Sequence, residues 1–221
     1  MKEKLAAEFI GTFTLILIGA GAIMNGKADL LGIALAHGLA IAIMVSAFAA
    51  ISGAHFNPAV SFGMLITKRL NTRTFLSYVA AQLSGASLAA VALRYIAGWG
   101  NDAGKSLGAA SVANSISPIK AMVAEAIGTF LLVAVIFGVA VDKRGTFGAV
   151  AGFPIGLMIT LDILFMGPLT GAAVNPARWF GPALVSGTWI NSWVWIVGPL
   201  LGAGIAALLY DALFTPEKKS I

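Results

Sequence analysis

The sequence contains no cysteine, and only two of its 221 residues are histidine. Disulfides, thiol catalysis and cysteine-ligated metals are thereby excluded, and a histidine-based metal cage is not expected. Charge is scarce as well. Asp, Glu, Lys and Arg make up 10% of the chain, against about 25% in an ordinary soluble domain. Hydrophobic residues make up 59%, and the mean hydropathy is +0.93. A soluble fold this poor in charge could not cover its own surface. The composition points to an integral membrane protein and excludes water-soluble enzymes and nucleic-acid binders. The net charge of +5 and the pI near 9.7 are read as basic residues in loops that set orientation, with no nucleic-acid partner.

What is present is a series of charge-free runs, to be measured against the ~20 apolar residues that a spanning helix needs. Phe9–Gly26, Thr74–Leu93, Ala126–Val141 (extended back through Glu125) and Gly145–Leu161 (extended past Asp162) each suit one span. Leu30–Thr67 and Trp179–Tyr210 are over-long, at 38 and 32 residues. Six full spans are the simplest count. Each over-long run then holds a span and roughly ten apolar residues besides.

These leftovers each adjoin an Asn-Pro-Ala tripeptide, Asn57-Pro58-Ala59 and Asn175-Pro176-Ala177. Asn is a preferred N-cap and Pro a preferred first helical residue. Both segments are therefore expected to be short helices starting at the Asn, too short to cross a bilayer. Irregular backbone at membrane depth is tolerated only inside protein or along a watery cavity. Two half-helices thus predict a pore or a binding site.

The two tripeptides are offset by 118 positions, and other matches lie nearly in register. Ala7-Glu8-Phe9-Ile10-Gly11-Thr12-Phe13 is similar to Ala124-Glu125-Ala126-Ile127-Gly128-Thr129-Phe130, offset 117. Ser52-Gly53-Ala54 parallels Thr170-Gly171-Ala172, and Gly85-Ala86 parallels Gly202-Ala203. Each half then has three spans and one half-helix. An odd number of spans inverts the second half, an arrangement that places functional sites near the bilayer midplane. The expected fold is all-α integral membrane, six transmembrane helices plus two re-entrant half-helices in an inverted repeat. The first repeat is assigned to residues 1–97, a connecting extracellular loop to 98–117, and the second repeat to 118–221. Nine basic residues (Lys2, Lys4, Lys68, Arg69, Arg73, Lys143, Arg144, Lys218 and Lys219) fall on one side and four (Lys27, Arg94, Lys105 and Lys120) on the other. This split predicts cytoplasmic termini. The Lys2-Glu3-Lys4 start could pass for a signal peptide, but as one copy of the repeat it is expected to be retained.

On these residues the chain resembles the aquaporin (major intrinsic protein) family. Ser52-Gly53-Ala54-His55-Phe56-Asn57-Pro58-Ala59-Val60 and Gly171-Ala172-Ala173-Val174-Asn175-Pro176-Ala177-Arg178 look like its two signature loops. The resemblance covers nearly the whole chain. It implies a six-helix bundle, one pore per subunit, a homotetramer, and passive conduction of water and small neutral solutes across the lipid bilayer, with no cofactor, no metal and no catalytic residue. Asn57 and Asn175 would meet at the pore centre, each at a helix N-terminus carrying roughly +0.5 of a charge. A water accepting from both amides must turn its hydrogens away from the centre, which breaks a proton wire. The blander alternative is that both Asn merely cap helices. Arg178 is the only basic residue placed in either re-entrant segment, and an intramembrane Arg is a functional candidate.

The resemblance, carried by spacing from the motifs, assigns the selectivity filter to His37, Ile163, Ala172 and Arg178. This differs from orthodox water channels, which have Phe and His at the first two positions, and from glycerol channels with their aromatic wedge. It is similar to the plant tonoplast-type subfamily, whose members pass water and often ammonia, urea or hydrogen peroxide. His37 could alternatively be a core histidine. Trp179 matches neither water nor glycerol channels, and no histidine lies in the 98–117 loop. Glu8 and Glu125 occupy equivalent places and are read as braces for the loops entering the half-helices, the alternative being proton relays. His55 is read as a further brace and Gln82 as a link between helices, while Asp162 has no assigned role. Against the channel stand a glycerol-type facilitator, an ion-coupled secondary transporter with inverted repeats, and an adhesion protein on the same fold. The localisation expected is a prokaryotic plasma membrane.

Overall fold

A computed structural model describes residues 1–97, 106–144 and 150–215. Lys105, Lys218 and Lys219, which entered the charge count above, lie outside the described residues. Six helices are long and apolar enough to span a membrane, and the described residues form no strand. In chain order the helices are α1 Lys2–Met24, α2 Leu30–Ser52, the half-helix α3 Pro58–Ile66, α4 Thr72–Ala97, α5 Pro118–Val141, α6 Gly152–Thr170, the half-helix α7 Pro176–Ser186 and α8 Val194–Leu213. The last charge-free run before the second motif is displaced from its expected place. Its helix starts at Gly152, seven residues after the run begins, and passes through Asp162 to Thr170 as the extension past Asp162 expected, with the Asp162 side chain buried inside the bundle.

The ends of the helices follow from local chemistry. Asp29 accepts from the Gly32 N–H at 2.8 Å and caps α2, and Ser117 caps α5 with Pro118 behind it. Asn57 and Asn175 sit in extended backbone as N-caps, each with Pro in the first helical position. Both α2 and α6 stop at a left-handed glycine, Gly53 (φ +86°) and Gly171 (φ +78°). A glycine adopts that conformation without steric cost, and it turns each chain from a full span into its re-entrant loop.

Packing repeats across the two halves. α1 lies on α4 as α5 lies on α8, while α2 crosses α6 at the centre of the molecule. At that crossing Gly38 and Gly156 bring the backbones so close that a Cβ on either would overlap the other helix. In lipid there is no hydrophobic force between helices, so close van der Waals packing of small residues takes its place. The half-helices are exchanged: α3 packs on α8 of the second half, and α7 on α4 of the first. Leu39, Ile43, Leu201 and Ile205 point outward, which suits lipid rather than water.

Candidate functional site

Two buried carboxylates hold the re-entrant loops. Glu8 on α1 accepts from Ser52 Oγ (2.7 Å) and the His55 N–H (2.9 Å) at one oxygen, and from the Phe56 N–H (2.7 Å) and Gln82 Nε2 (2.8 Å) at the other. Glu125 on α5 accepts from Thr170 Oγ1 (2.7 Å), the Ala173 N–H (2.9 Å) and the Val174 N–H (2.7 Å). Tyr78 Oη donates to the Ser52 carbonyl at 2.7 Å, and Trp195 Nε1 to the Thr170 carbonyl at 3.0 Å, at the equivalent point. The repeat read in the sequence is thus a repeat of hydrogen bonds.

These bonds fix which way the loop carbonyls point. In a trans peptide the C=O of one residue is directed opposite to the N–H of the next. With the N–H groups of His55 and Phe56 turned to Glu8, the carbonyls of Ala54 and His55 turn the other way. Ala54 and His55 both line a cavity of ≈ 230 Å³ that opens at the end of the molecule carrying the termini. Likewise the carbonyls of Ala172 and Ala173 turn away from Glu125. The pattern demands left-handed backbone at alternate residues, Ala54 and Phe56 in one loop, Ala172 and Val174 in the other, with φ between +44° and +51°. Such conformations are costly away from glycine and persist only where the surroundings over-determine them. The glutamates supply that constraint.

The half-helices meet head to head. Asn57 Oδ1 accepts from the Ala59 N–H at 2.8 Å, and its Nδ2 donates to the Val174 carbonyl at 2.8 Å. Asn175 Oδ1 accepts from the Ala177 N–H at 2.9 Å, and its Nδ2 donates to the Phe56 carbonyl at 2.9 Å. An amide nitrogen carries two hydrogens, so each Asn keeps one beyond this lock. Both Asn line the cavity on the terminal side. Pro58, Ala59, Pro176 and Ala177 are buried behind them.

A second cavity of ≈ 240 Å³ opens at the opposite end, and His37, Ile163, Gly171 and Arg178 line it. Arg178 lies one helical turn past Asn175, so the second signature lines both cavities, Asn175 the first and Arg178 the second. Arg178 Nη1 donates to the Gly108 carbonyl at 3.2 Å. His37 Nδ1 is 2.9 Å from the Ile33 carbonyl, which makes it the N–H of the ring, and Nε2 is buried without a partner. Ala172 is buried and is not among the residues that line this cavity, though its neighbour Gly171 is. Shifted by the repeat offset, His37, Ile163, Ala172 and Arg178 correspond to Ile155, Val45, Ala54 and Val60, all of which line the other cavity. The four far-side positions thus include two polar side chains, His37 and Arg178, and their four counterparts include none.

Behind the first signature the packing is polar. His55 Nδ1 lies 3.0 Å from Ser61 Oγ, and Gln82 Nε2 reaches both Ser61 and Glu8. Behind the second, Trp179 and Pro199 stand at the equivalent positions, and Trp179 stacks on Trp195 with ring centroids 5.9 Å apart. Asp162 lies beside Gly128 on α5, with one oxygen buried and unpaired. No group of three or more His, Cys, Asp or Glu able to hold a metal occurs among the described residues. Sequence reasoning missed Gly108 and Ser61. Ser61 carries no repeat signal because its counterpart is Trp179, and Gly108 lies in a connecting loop with no copy in the other half.

Six spans in an inverted repeat, with two half-helices abutting between two open cavities, define a membrane channel. The chain belongs to the major intrinsic protein family, whose description matches residues 1–210. It is 43% identical to aquaporin NIP3-1 of Arabidopsis thaliana, over 98% of this chain and 69% of that one. It is 40% identical to aquaporin TIP1-2 of Zea mays, over 96% and 86%. The aquaglyceroporin of Plasmodium falciparum superposes with a TM-score of 0.89 at 28% identity, covering 97% of both chains. The similarity to NIP and TIP relatives is of the same order, so the tonoplast-type likeness of the filter does not extend to a subfamily assignment.

Proposed function

We propose that this passive channel for water and small solutes conducts neutral molecules past Asn57 and Asn175 and excludes protons and cations. The observation that carries the reading is the reciprocal lock of the two Asn between cavities open to opposite ends. The amide hydrogen left on each Asn is the donor offered to a passing water, and the loop carbonyls on either side are the acceptors. A water held this way cannot pass a proton along the file, and two helix N-termini make the centre positive. Arg178 adds a fixed positive charge in the far-side cavity, where His37, Ile163 and Ala172 complete the filter. With no bulky aromatic among these four, the filter suits ammonia, urea, hydrogen peroxide and glycerol as well as water. Glu8, Glu125 and His55 act as braces for the loops that form the path.

The repeats 1–97 and 118–221 form one pore in each chain, joined by the loop 98–117, and four chains assemble as a homotetramer. The basic residues support cytoplasmic termini, hence an outward-facing filter, in a prokaryotic plasma membrane. A glycerol-selective facilitator remains the second reading, supported by the likeness to an aquaglyceroporin. Stopped-flow light scattering on proteoliposomes tests both. Sucrose gradients should give fast shrinkage, and urea or glycerol gradients fast re-swelling. Glycerol flux without water flux favours the second reading.

A further inference from the structure

The first span is not a uniform α-helix. From Ile16 to Ala20 it makes a π-helical turn, a feature frequent at functional sites. Two consecutive residues of this turn face the filter. A Cβ on Gly19 would lie 2.5 Å from His37 Nε2 and overlap the ring edge. A Cβ on Gly108 would lie 2.7 Å from the Ala20 carbonyl oxygen, and Gly108 is the residue whose carbonyl holds Arg178. Both polar side chains of the filter thus rest on the same turn of α1, His37 directly and Arg178 through Gly108.

The His37 ring is pinned at one point and free at the other. Nδ1 is tied to the Ile33 carbonyl one turn back along α2. Nε2, at the far edge, is tucked against Gly19 with no hydrogen-bond partner. A buried polar nitrogen is left without a partner only at a cost, so its place is set by the space available and not by a bond. His37 also lines the far-side cavity. Any group that fills the niche at Gly19 must swing the ring about the Ile33 bond and into that cavity.

We propose that Gly19 is a specificity-determining positioning residue: having no side chain, it lets the His37 ring withdraw into the π-helical turn of α1 and keeps the filter wide enough for planar neutral solutes the size of urea. The inference rests on the reading of the pore as one that passes such solutes. Gly19 touches no solute itself. It acts through His37, and its effect is on selectivity rather than on conduction as such. Water needs less room than urea, so a ring moved into the lumen separates the two.

The test is a double-mutant cycle on the full-length channel in proteoliposomes, reading urea and water permeability together. Gly19→Ala should lower the urea-to-water ratio about 10-fold or more, within the 10–200-fold range over which one carbon discriminates in a close-fitting site. In the His37→Ala background, which removes the overlap and with it the obstacle to folding, Gly19→Ala should leave the urea-to-water ratio of His37→Ala unchanged. Rescue of this kind would not follow if Gly19 merely packed helices. A wild-type channel that passes urea, with Gly19→Ala at the same urea-to-water ratio, overturns the role of Gly19 and leaves the broader reading standing. So does a Gly19→Ala effect that persists without the His37 ring. A wild-type channel that passes water but no urea overturns the broader reading, and this inference with it.

Discussion

Asn57 and Asn175 are held by two reciprocal bonds: each donates an amide hydrogen to the carbonyl of the residue that precedes the other, at 2.8 and 2.9 Å. The pair joins the two halves of the chain at the point where both half-helices begin. It also fixes the orientation of each amide, because the oxygen is already committed to capping its own helix. The hydrogens available to a permeating molecule are therefore pre-aimed.

Asn57→Asp separates the cap from the lock. A carboxylate can still accept from the Ala59 N–H but has nothing to donate to the Val174 carbonyl. Orphaning that buried acceptor should cost about 1–3 kcal/mol, read as a lower unfolding midpoint in detergent. The negative charge should also admit protons, seen as pH decay in dye-loaded vesicles. Unchanged stability with intact proton exclusion would contradict the lock.

Glu8→Gln and Glu125→Gln should both loosen their loops. Each carboxylate oxygen accepts from one backbone N–H, of His55 or Phe56 at Glu8 and of Ala173 or Val174 at Glu125, so the new amide group opposes one of them whichever way it turns. Hydrogen bonds to a charged group contribute about 1.5–3 kcal/mol each. Thermal unfolding of both variants should show a loss of that order, and an unchanged midpoint in either would count against the bracing account.

The channel should be insensitive to mercurials, since it has no cysteine. Ala172→Cys should become blockable, because the proposed filter places residue 172 on the path. Inhibition of the parent protein by mercuric chloride would contradict the first expectation, and a silent Ala172→Cys would displace residue 172 from the filter.

At the terminal face Asp142 accepts from Arg144 Nε and Nη2 and from Tyr210 Oη, while Arg144 also donates to the Phe214 carbonyl. Hydrogen bonds from the Arg144 side chain, then from its backbone N–H, hold the Asp142 carboxyl well below the usual carboxylate range. A depressed pKa adds stability that is fully present above the unfolded value near 3.9 and is lost as pH falls through the lower folded value. The unfolding midpoint of the wild type should therefore exceed that of Asp142→Asn by a constant gap from pH 8 to 5, closing only in strong acid. A gap that closes between pH 6 and 5 would contradict the assignment.

Much of this was legible in the sequence because the repeat copies residues that make backbone bonds. Glu8 and Glu125, Ser52 and Thr170, and the two Asn recur since each must satisfy the same N–H groups in both loops. The half-helices were legible from Asn and Pro at their starts, at nine and eleven residues against the ten or so left over. The π-helical turn at Ile16–Ala20 was not, because apolar residues in lipid give no periodic signal to distinguish it from α-helix. Nor was the part played by Gly108, which acts through its backbone carbonyl, a group every residue carries. The exchange of half-helices between the repeats is a tertiary event that no local pattern records.

The most direct measurement is water and proton flux in the same proteoliposomes, at matched channel density. The account predicts osmotic shrinkage much faster than in empty vesicles and only weakly dependent on temperature, with proton leak no greater than that of the bare lipid. Shrinkage at the rate of empty vesicles, or a proton leak that rises with water flux, would contradict it.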